Sequence, residues 1–124
     1  MDNGYFLDIL DIDSLKLVLN KTNPDYVINC CAYTDVDTSE TNHTIAHTLN
    51  VSSVQNILKT INIDTKLIHI SSDYVFNGEK GNYTELDTPV PINYYGKTKH
   101  EAENIIRGSN RKHIIFRLSV PYEY

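Results

Sequence analysis

Three short, largely apolar runs constrain the fold of this chain more than any other feature of its sequence. They lie at residues 26–31 (YVINCC), 66–71 (KLIHIS) and 113–118 (HIIFRL), and they are rich in valine and isoleucine. Each run is nearly continuous in apolar character rather than alternating, which is typical of strands that are covered on both faces. The runs therefore predict three strands of one parallel sheet, with both faces of that sheet covered.

The segments between these runs carry apolar residues at helical spacing. The first segment must end before Pro24, because the residue that precedes a proline disfavours the helical conformation. The third segment ends near Gly108, which is typical of a helix stop. Helix and strand therefore alternate, which predicts an α/β fold with adjacent parallel strands in chain order. The predicted helices span residues 12–22, 40–61 and 94–107.

One segment has no periodicity. Residues 77–93 are rich in glycine, proline, asparagine and aspartate, and they directly follow the carboxyl end of the second predicted strand. In open α/β sheets ligands bind at this edge, and loops of this length are usually functional or disordered. The sequence therefore predicts a ligand site beside this loop.

Length and charge exclude several classes of function. A chain of 124 residues forms one domain. Its 11 lysines and arginines against 16 aspartates and glutamates give a net charge of −5, which argues against binding to nucleic acid or to an anionic membrane. No apolar run approaches the roughly 20 residues of a membrane span, and the first residues lack the pattern of a secretion signal. No cluster of residues predicts a metal site.

The two cysteines, Cys30 and Cys31, are neighbours in the sequence. Adjacent cysteines form a strained disulfide at best and supply too few ligands for a zinc site. We therefore expect two reduced and buried side chains in a cytoplasmic protein. We also expect His69 to be a packed, neutral histidine, and the acidic residues at 35–40 and 101–103 to be solvated.

Tyr95 and Lys99 form a pair that is able to carry acid–base chemistry. Residues i and i+4 lie on one face of a helix, one turn apart. A lysine ammonium in that position lowers the pKa of a phenol from about 10 towards neutrality, and the phenol can then act as general acid or base on a carbonyl or alcohol. With nine tyrosines in the chain such a pair also arises by chance, and the alternative interpretation is a solvated helix face.

Ser71 and Ser72 lie at the end of the second predicted strand. Ser72 precedes Tyr95 in the sequence with the long loop between them, so the hydroxyl and the phenol can converge on one carbonyl oxygen. The alternative interpretation is that these serines only cap a turn or a helix.

Four blocks of the sequence occur in an order and at a spacing that carry a family resemblance. They are residues 23–37 (NPDYVINCCAYTDVD), 70–78 (ISSDYVFNG), 83–99 (YTELDTPVPINYYGKTK) and 115–122 (IFRLSVPY). These blocks cover nearly the whole chain and resemble the dTDP-4-dehydrorhamnose reductases, a family of extended short-chain dehydrogenase/reductases. The resemblance implies a partial Rossmann-type, doubly wound parallel sheet with flanking helices. It also implies reduction of the 4-keto group of a deoxysugar nucleotide with NADPH or NADH.

The resemblance also implies roles for individual residues. Tyr95 would donate a proton to the 4-keto oxygen, and Lys99 would lower the pKa of Tyr95 and bind the nicotinamide ribose. Ser72 would orient the substrate, and Asp73 would lie beside the sugar. The implied cofactor-binding residues are Asp8 and Ile9 at the adenine, Cys31, Ala32 and Tyr33 after the first strand, and Tyr95 and Lys99.

Two parts of the family pattern have no counterpart in this sequence. The glycine-rich turn that holds the pyrophosphate does not occur among the five glycines, and the C-terminal sugar-binding segment is absent. Residues 1–124 therefore resemble the central and C-terminal part of an NAD(P)-binding domain, and we expect this fragment to be inactive in isolation.

The expected partners are a nucleotide-sugar substrate and, at the unpaired edge of the sheet, a second copy or a complementing chain. The alternative function is that of a non-catalytic binding protein on the same fold, like the regulatory beta subunit of methionine adenosyltransferase. The Ser71-Ser72 pair fits that relative slightly better.

Overall fold

A computed structural model of the chain describes residue 4 and residues 6–119. It contains one sheet of three parallel strands in the order β1-β2-β3. This order and direction confirm the predicted α/β arrangement. The last resembling block extends to Tyr122, and residues 120–124 lie outside the described part. The strands are β1 (Tyr26–Asn29), β2 (Lys66–Ser72) and β3 (His113–Leu118).

The first strand ends two residues earlier than predicted. The side-chain oxygen of Asn29 accepts the backbone N–H of Cys31 at 3.1 Å, so the chain turns out of the sheet there. Cys30 and Cys31 consequently lie in the loop after β1, where both are exposed and free. The prediction that the two cysteines are buried is therefore wrong, because they do not belong to the strand.

The first and last predicted helices agree with the structure. Asp11 caps the first helix by accepting the N–H groups of Asp13 and Ser14. Gly108 is the last residue of the final helix rather than the residue after it. These helices are α1 (Ile12–Thr22) and α5 (Tyr94–Gly108).

The long helix predicted over residues 40–61 is broken into shorter pieces. Asn42 leaves the helical region with φ −126° and ψ 69°, and its side chain caps the following helix at Ile45 N–H. An asparagine side chain that bonds to the local backbone competes with the helix, which explains the break. The pieces are α2 (Val36–Thr41), α3 (His43–His47), a π-helical turn (Thr48–Ser52) and α4 (Ser53–Thr60).

Within residues 4 and 6–119, the hydrophobic core lies on one face of the sheet. Helices α1, α4 and α5 contribute Leu15, Ile57 and Ile106, which pack with Leu67 of β2. On the opposite face, the exposed fractions of the apolar residues of the edge strands β1 and β3 range from 38% at Ile114 to 62% at Ile28, and Ile68 and Ile70 of the central strand are half-buried. The prediction that both faces are covered is therefore wrong for the described residues.

Residues 77–93 contain neither helix nor strand, as predicted. The loop is held to the body of the domain by the stacked rings of Phe76 and Tyr83, whose centroids are 4.3 Å apart. Across residues 4 and 6–119, no helix has the length and apolar character that a membrane span requires.

Candidate functional site

The candidate site lies where β2 ends and α5 begins. Ser72 is the last residue of β2 and is 7% exposed. Its Oγ accepts the N–H of Tyr74 at 3.2 Å and donates to Asp73 Oδ1 at 3.2 Å. Ser72 therefore caps the short 3-10 turn Asp73–Val75, as the alternative interpretation stated. This role also fixes the direction of its hydroxyl.

Helix α5 begins very close to this turn. Asn93 caps the helix by accepting the N–H of Gly96 at 2.7 Å. A Cβ at Gly96 would lie 2.1 Å from the carbonyl oxygen of Tyr74, a distance that no side chain tolerates. Glycine at position 96 therefore allows the helix and the turn to approach each other, which brings Tyr95 towards Ser72.

Tyr95 is buried between these elements, with an exposed fraction of 8%. Its ring meets the ring of Tyr74 edge to face, with centroids 5.7 Å apart. Burial raises the pKa of Tyr95 above its usual 10, the nearby Ser72 hydroxyl opposes this shift, and the Asp73 carboxylate adds to it. The phenol is therefore protonated at neutral pH.

Lys99 is anchored to the sheet in this structure. Its Nζ donates to the backbone carbonyl of Ile70 in β2 at 2.7 Å, and the side chain is 2% exposed. Burial lowers the pKa of Lys99 to about 8, against the opposing effect of Glu103. Burial dominates the pKa of Tyr95 in this structure, in which the Lys99 ammonium is bound to β2, and the role of Lys99 towards Tyr95 and the ribose stays a prediction.

A buried asparagine that the sequence analysis missed joins two parts of the site. Asn50, in the π-helical turn, accepts the N–H of Tyr33 at 2.8 Å and donates to the carbonyl of Tyr33 at 3.2 Å. It also donates to Thr98 Oγ1 at 2.9 Å, and Thr98 donates to the carbonyl of Tyr95 at 2.7 Å. The loop after β1 is thereby tied to α5. An asparagine inside a predicted helix was the available signal, because it is unfavourable in helix interiors.

His69 has the packed, neutral role that was predicted for it. It is 1% exposed, and its Nδ1 lies 3.2 Å from Asn29 Nδ2. Burial and the positive charge of Lys99 lower the pKa of His69 to about 4, and Glu103 opposes the shift. The imidazole is therefore uncharged at neutral pH, and it stabilises the end of β1 through Asn29.

Glu103 differs from its predicted solvated role. It is fully buried, and it accepts two hydrogen bonds from Arg117 at 2.9 and 2.7 Å and one from Arg107 at 3.0 Å. Burial raises the pKa of Glu103, but the hydrogen bonds from Arg117 and Ser71 and the charges of Arg117 and Arg107 outweigh burial, and the net direction is downward. The carboxylate therefore links α5 to β3 as a charged group.

The remaining predicted cofactor residues lie on two loops. Asp8 is exposed and accepts the N–H of Leu10 at 2.9 Å, and the carbonyl of Ile9 receives a hydrogen bond from Asn56 at 3.3 Å. Cys31, Ala32 and Tyr33 form the loop after β1, with Cys31 exposed and the other two half-buried. No described hydrogen bond joins Asp8 or Ile9 to Ser72, Tyr95 or Lys99.

Asp73 is exposed at the wall of a cavity of about 520 Å³. Phe76 and Tyr83 line the cavity on the side of the long loop, and Phe116 and Arg117 line it on the side of β3. Its volume lies within the range that small-molecule sites occupy. The long loop after β2 thus borders a cavity, next to the turn that carries Asp73.

Comparisons with known proteins agree with this architecture. Residues 4–124 match the family model described as the RmlD substrate binding domain. A probable low-salt glycan biosynthesis reductase of Haloferax volcanii is 39% identical over 118 residues, which are 94% of this chain and 39% of that protein. Subunit beta of methionine adenosyltransferase 2 from Xenopus tropicalis is 35% identical over 118 residues, which are 94% of this chain and 35% of that protein.

A solved structure shows the same fold. The dTDP-4-dehydrorhamnose reductase of Bacillus anthracis, crystallised in complex with NADP, superposes with a TM-score of 0.86 and is 35% identical. The match covers 91% of this chain and 41% of that one, so this chain spans less than half the length of the proteins it matches. The strands, the helices and the match over residues 4–124 agree, and the chain belongs to the RmlD substrate binding domain family.

Proposed function

We propose that this chain supplies the acid–base segment of a nicotinamide-dependent reductase that acts on the 4-keto group of a deoxysugar nucleotide, as in the dTDP-4-dehydrorhamnose reductases. The observation that carries the proposal is the convergence of Ser72 and Tyr95 where β2 ends, with the phenol buried and protonated. A protonated phenol beside a fixed hydroxyl is suited to donate a proton to a carbonyl oxygen.

A reduced nicotinamide bound beside Lys99 and Tyr95 would supply the hydride for C4 of the sugar. Tyr95 transfers its phenolic proton to the 4-keto oxygen, so that the carbonyl becomes an alcohol and the phenol becomes a phenolate. The Ser72 hydroxyl, which donates to Asp73 in the structure, would turn to donate its one proton to the same oxygen and hold it near the phenol. Asp73 orients the sugar from the adjoining turn.

The residues present fit a bound dinucleotide at Lys99, which has hydrogen-bond donors beyond the one that the sheet accepts. The Lys99 ammonium has three donors, and Ile70 accepts one of them. The remaining donors suit ribose hydroxyls, and Tyr95 would lie beside the same ribose. We assign Asp8 and Ile9 to the adenine and Cys31, Ala32 and Tyr33 to the edge of the cofactor, with NADPH and NADH as the two candidates.

We further propose that the chain forms the central and C-terminal part of an NAD(P)-binding domain, which functions together with a complementing chain or a second copy. The length of the relatives supports this proposal, since this chain spans about two-fifths of the reductases it matches. Two exposed and free cysteines fit the reducing cytoplasm, which we propose as the location.

The test transplants residues 4–119 into the Bacillus anthracis reductase in place of the matching segment. We expect the chimera to reduce dTDP-4-keto sugars, and Tyr95→Phe to lower kcat by about 100- to 10,000-fold with a far smaller change in KM. Tyr94→Phe is the matched control, because Tyr94 stacks on His43 and not on the Ser72 turn. A chimera that folds, binds NADPH and loses no turnover on Tyr95→Phe would refute the assignment.

A second candidate is a non-catalytic binding protein on the same fold. The observation that favours it is the 35% identity to subunit beta of methionine adenosyltransferase 2. Such a protein needs the fold and its surfaces but no proton donor. A chimera that binds the dinucleotide but never reduces a keto sugar would favour this candidate over the reductase.

A further inference from the structure

The buried ammonium of Lys99 requires a compensating negative charge. Its Nζ donates to the backbone carbonyl of Ile70, and the residue is 2% exposed. A buried ammonium with only a neutral carbonyl as its partner has lost its hydration, and this favours the uncharged amine. Under the proposed function, Lys99 uses its positive charge to bind the ribose and to stabilise the phenolate that Tyr95 becomes.

Glu103 is the carboxylate in position to provide this charge. It follows Lys99 by four residues in α5, so the two side chains lie on the same face of the helix, one turn apart. Glu103 is completely buried, and among residues 4 and 6–119 it is the one acidic residue that is buried. Burial lowers the pKa of Lys99, and the charge of Glu103 opposes this shift. Charges attract each other more strongly in the protein interior than in water.

Two arginines fix the Glu103 carboxylate. Arg117 of β3 donates to both of its oxygens, at 2.9 and 2.7 Å, and Arg107 of α5 donates to Oε2 at 3.0 Å. Arg117 is itself held in place, because its Cζ lies 5.0 Å from the centroid of the Phe76 ring. The described hydrogen bonds of Glu103 do not include one with Lys99, so the carboxylate acts on the ammonium through space.

The other ionisable groups around α5 do not compensate Lys99. His69 is buried and uncharged at neutral pH, and Asp73 is exposed and raises the pKa of Tyr95 instead. Helix α4 packs with apolar side chains. Helices α2 and α3 contact α5 at Tyr94 and Glu101, away from Lys99. The groups on these neighbouring elements are His69 on β2, Asp73 in the turn, Arg117 on β3, Glu40 on α2, and His43 and His47 on α3.

We propose that Glu103 is a positioning residue of the site: its fixed, buried carboxylate compensates the ammonium of Lys99, which therefore meets the ribose and Tyr95 as a positive charge. Without Glu103, the cations Lys99, Arg107 and Arg117 would share one contact between helix and sheet with no buried anion. The role in reduction rests on the proposed function, whereas the link between the two side chains does not.

NMR spectra of the full chain, with lysine isotope-labelled at Cε, report the charge of Lys99 directly. The chemical shift of Cε follows the protonation of Nζ, and Lys99→Arg identifies the signal by its loss. In the parent chain the signal should titrate with the pKa of about 8 that burial gives Lys99. Glu103→Gln should lower this midpoint by about one pH unit, which is a tenfold change in the dissociation constant of the proton.

Arg117→Met is the matched control, because it breaks the same ion pair but removes the opposite charge. Glu103 remains to compensate Lys99, so the midpoint should stay at or above that of the parent. A purely structural ion pair would instead move both midpoints in the same direction. Circular dichroism spectra establish that each variant is folded. If Arg117→Met unfolds, Arg107→Met replaces it, because the side chain of Arg107 is 45% exposed.

If Glu103→Gln unfolds, it is combined with Arg117→Met, which removes both charges of the pair. The midpoint of Lys99 in this double variant should then lie below that in Arg117→Met alone. An unchanged midpoint on loss of the Glu103 charge, or an equal decrease in Glu103→Gln and Arg117→Met, would overturn the inference.

The chimera with the Bacillus anthracis reductase tests the consequence for reduction. Its kcat/KM for NADPH should fall as rising pH removes the proton of Lys99, and Glu103→Gln should move this fall to lower pH by the same amount. The readout is the pH of the fall and not the rate, because Arg117 also borders the cavity. A fall that stays in place while the Lys99 midpoint moves would overturn the positioning role. A folded chimera that never reduces a keto sugar would refute the proposed function, and the lysine titration alone would then decide this inference.

Discussion

Replacing Gly96 by alanine tests how the site is assembled. The added Cβ would lie 2.1 Å from the carbonyl oxygen and 3.0 Å from the carbonyl carbon of Tyr74, and 3.1 Å from Oδ1 of Asn93. The first two atoms belong to the backbone of the turn after β2, which cannot rotate away as a flexible side chain can. We therefore expect either the turn or the first turn of α5 to be displaced.

Two opposing effects determine the magnitude. Alanine is favoured over glycine by up to about 1 kcal/mol within a helix, which would stabilise the variant. Overpacking against a fixed neighbour costs about 1–3 kcal/mol. Because Gly96 lies in the first turn of α5, the gain in helix propensity is small. We expect the free energy of unfolding to fall by about 1–2 kcal/mol.

Urea unfolding followed by circular dichroism measures this change at one fixed protein concentration, because association would also shift the midpoint. Gly108→Ala is the matched control in the same helix: nothing lies within 4 Å of a Cβ built there. This control should be neutral or stabilising by up to about 1 kcal/mol. A Gly96→Ala midpoint equal to or above that of the parent would refute the argument from close approach.

Three further predictions concern charge and protonation. Glu103→Gln should cost about 3 kcal/mol at neutral pH, because it leaves Arg117 inadequately paired. Because the pKa of folded Glu103 is lowered from 4.5, this difference should begin to shrink as the pH falls below about 4.5 and should disappear only below the lower pKa of the folded state. The pKa of His69 is lowered from 6.5 to about 4, so the unfolded chain binds a proton more readily than the folded chain. The free energy of unfolding should therefore decline by up to about 3 kcal/mol as the pH falls from 6.5 to 4. Urea titrations of His69→Gln should lack this dependence on pH. Ultraviolet titration of the parent against Tyr95→Phe should show the Tyr95 phenolate forming at a higher pH than that of an ordinary tyrosine, because burial raises its pKa above 10. A difference that appears near pH 8 would contradict this result.

The elements that the sequence predicted well are those with local signals. Helix α1 has a capping aspartate at Asp11 and a proline two residues after its last residue, so both of its ends are marked in the sequence. The three strands are short, continuous apolar runs between helical segments. Their order follows from the rule that consecutive strands joined by helices are parallel neighbours.

The features that the sequence did not reveal depend on contacts between distant residues. In the sequence, Glu103 is indistinguishable from the other carboxylates of a solvated helix face. Its role becomes visible only in the structure, where β3 brings Arg117 into contact with it. The break at Asn42 depends on whether the side chain bonds to the local backbone or faces solvent. The exposed side of the sheet, opposite helices α1, α4 and α5, could not be foreseen either, because a continuous apolar run does not say which of its two sides is covered.

The protonation state of Tyr95 bears on the direction of the proposed reaction. Reduction of a carbonyl requires a proton donor, whereas oxidation of the alcohol requires a base. The spacing of Tyr95 and Lys99 permits either role. In the structure the Lys99 ammonium is bound to the carbonyl of Ile70, and burial raises the pKa of the phenol. Tyr95 therefore holds its proton over the neutral range, and under the proposed function the chain is set for reduction rather than for oxidation.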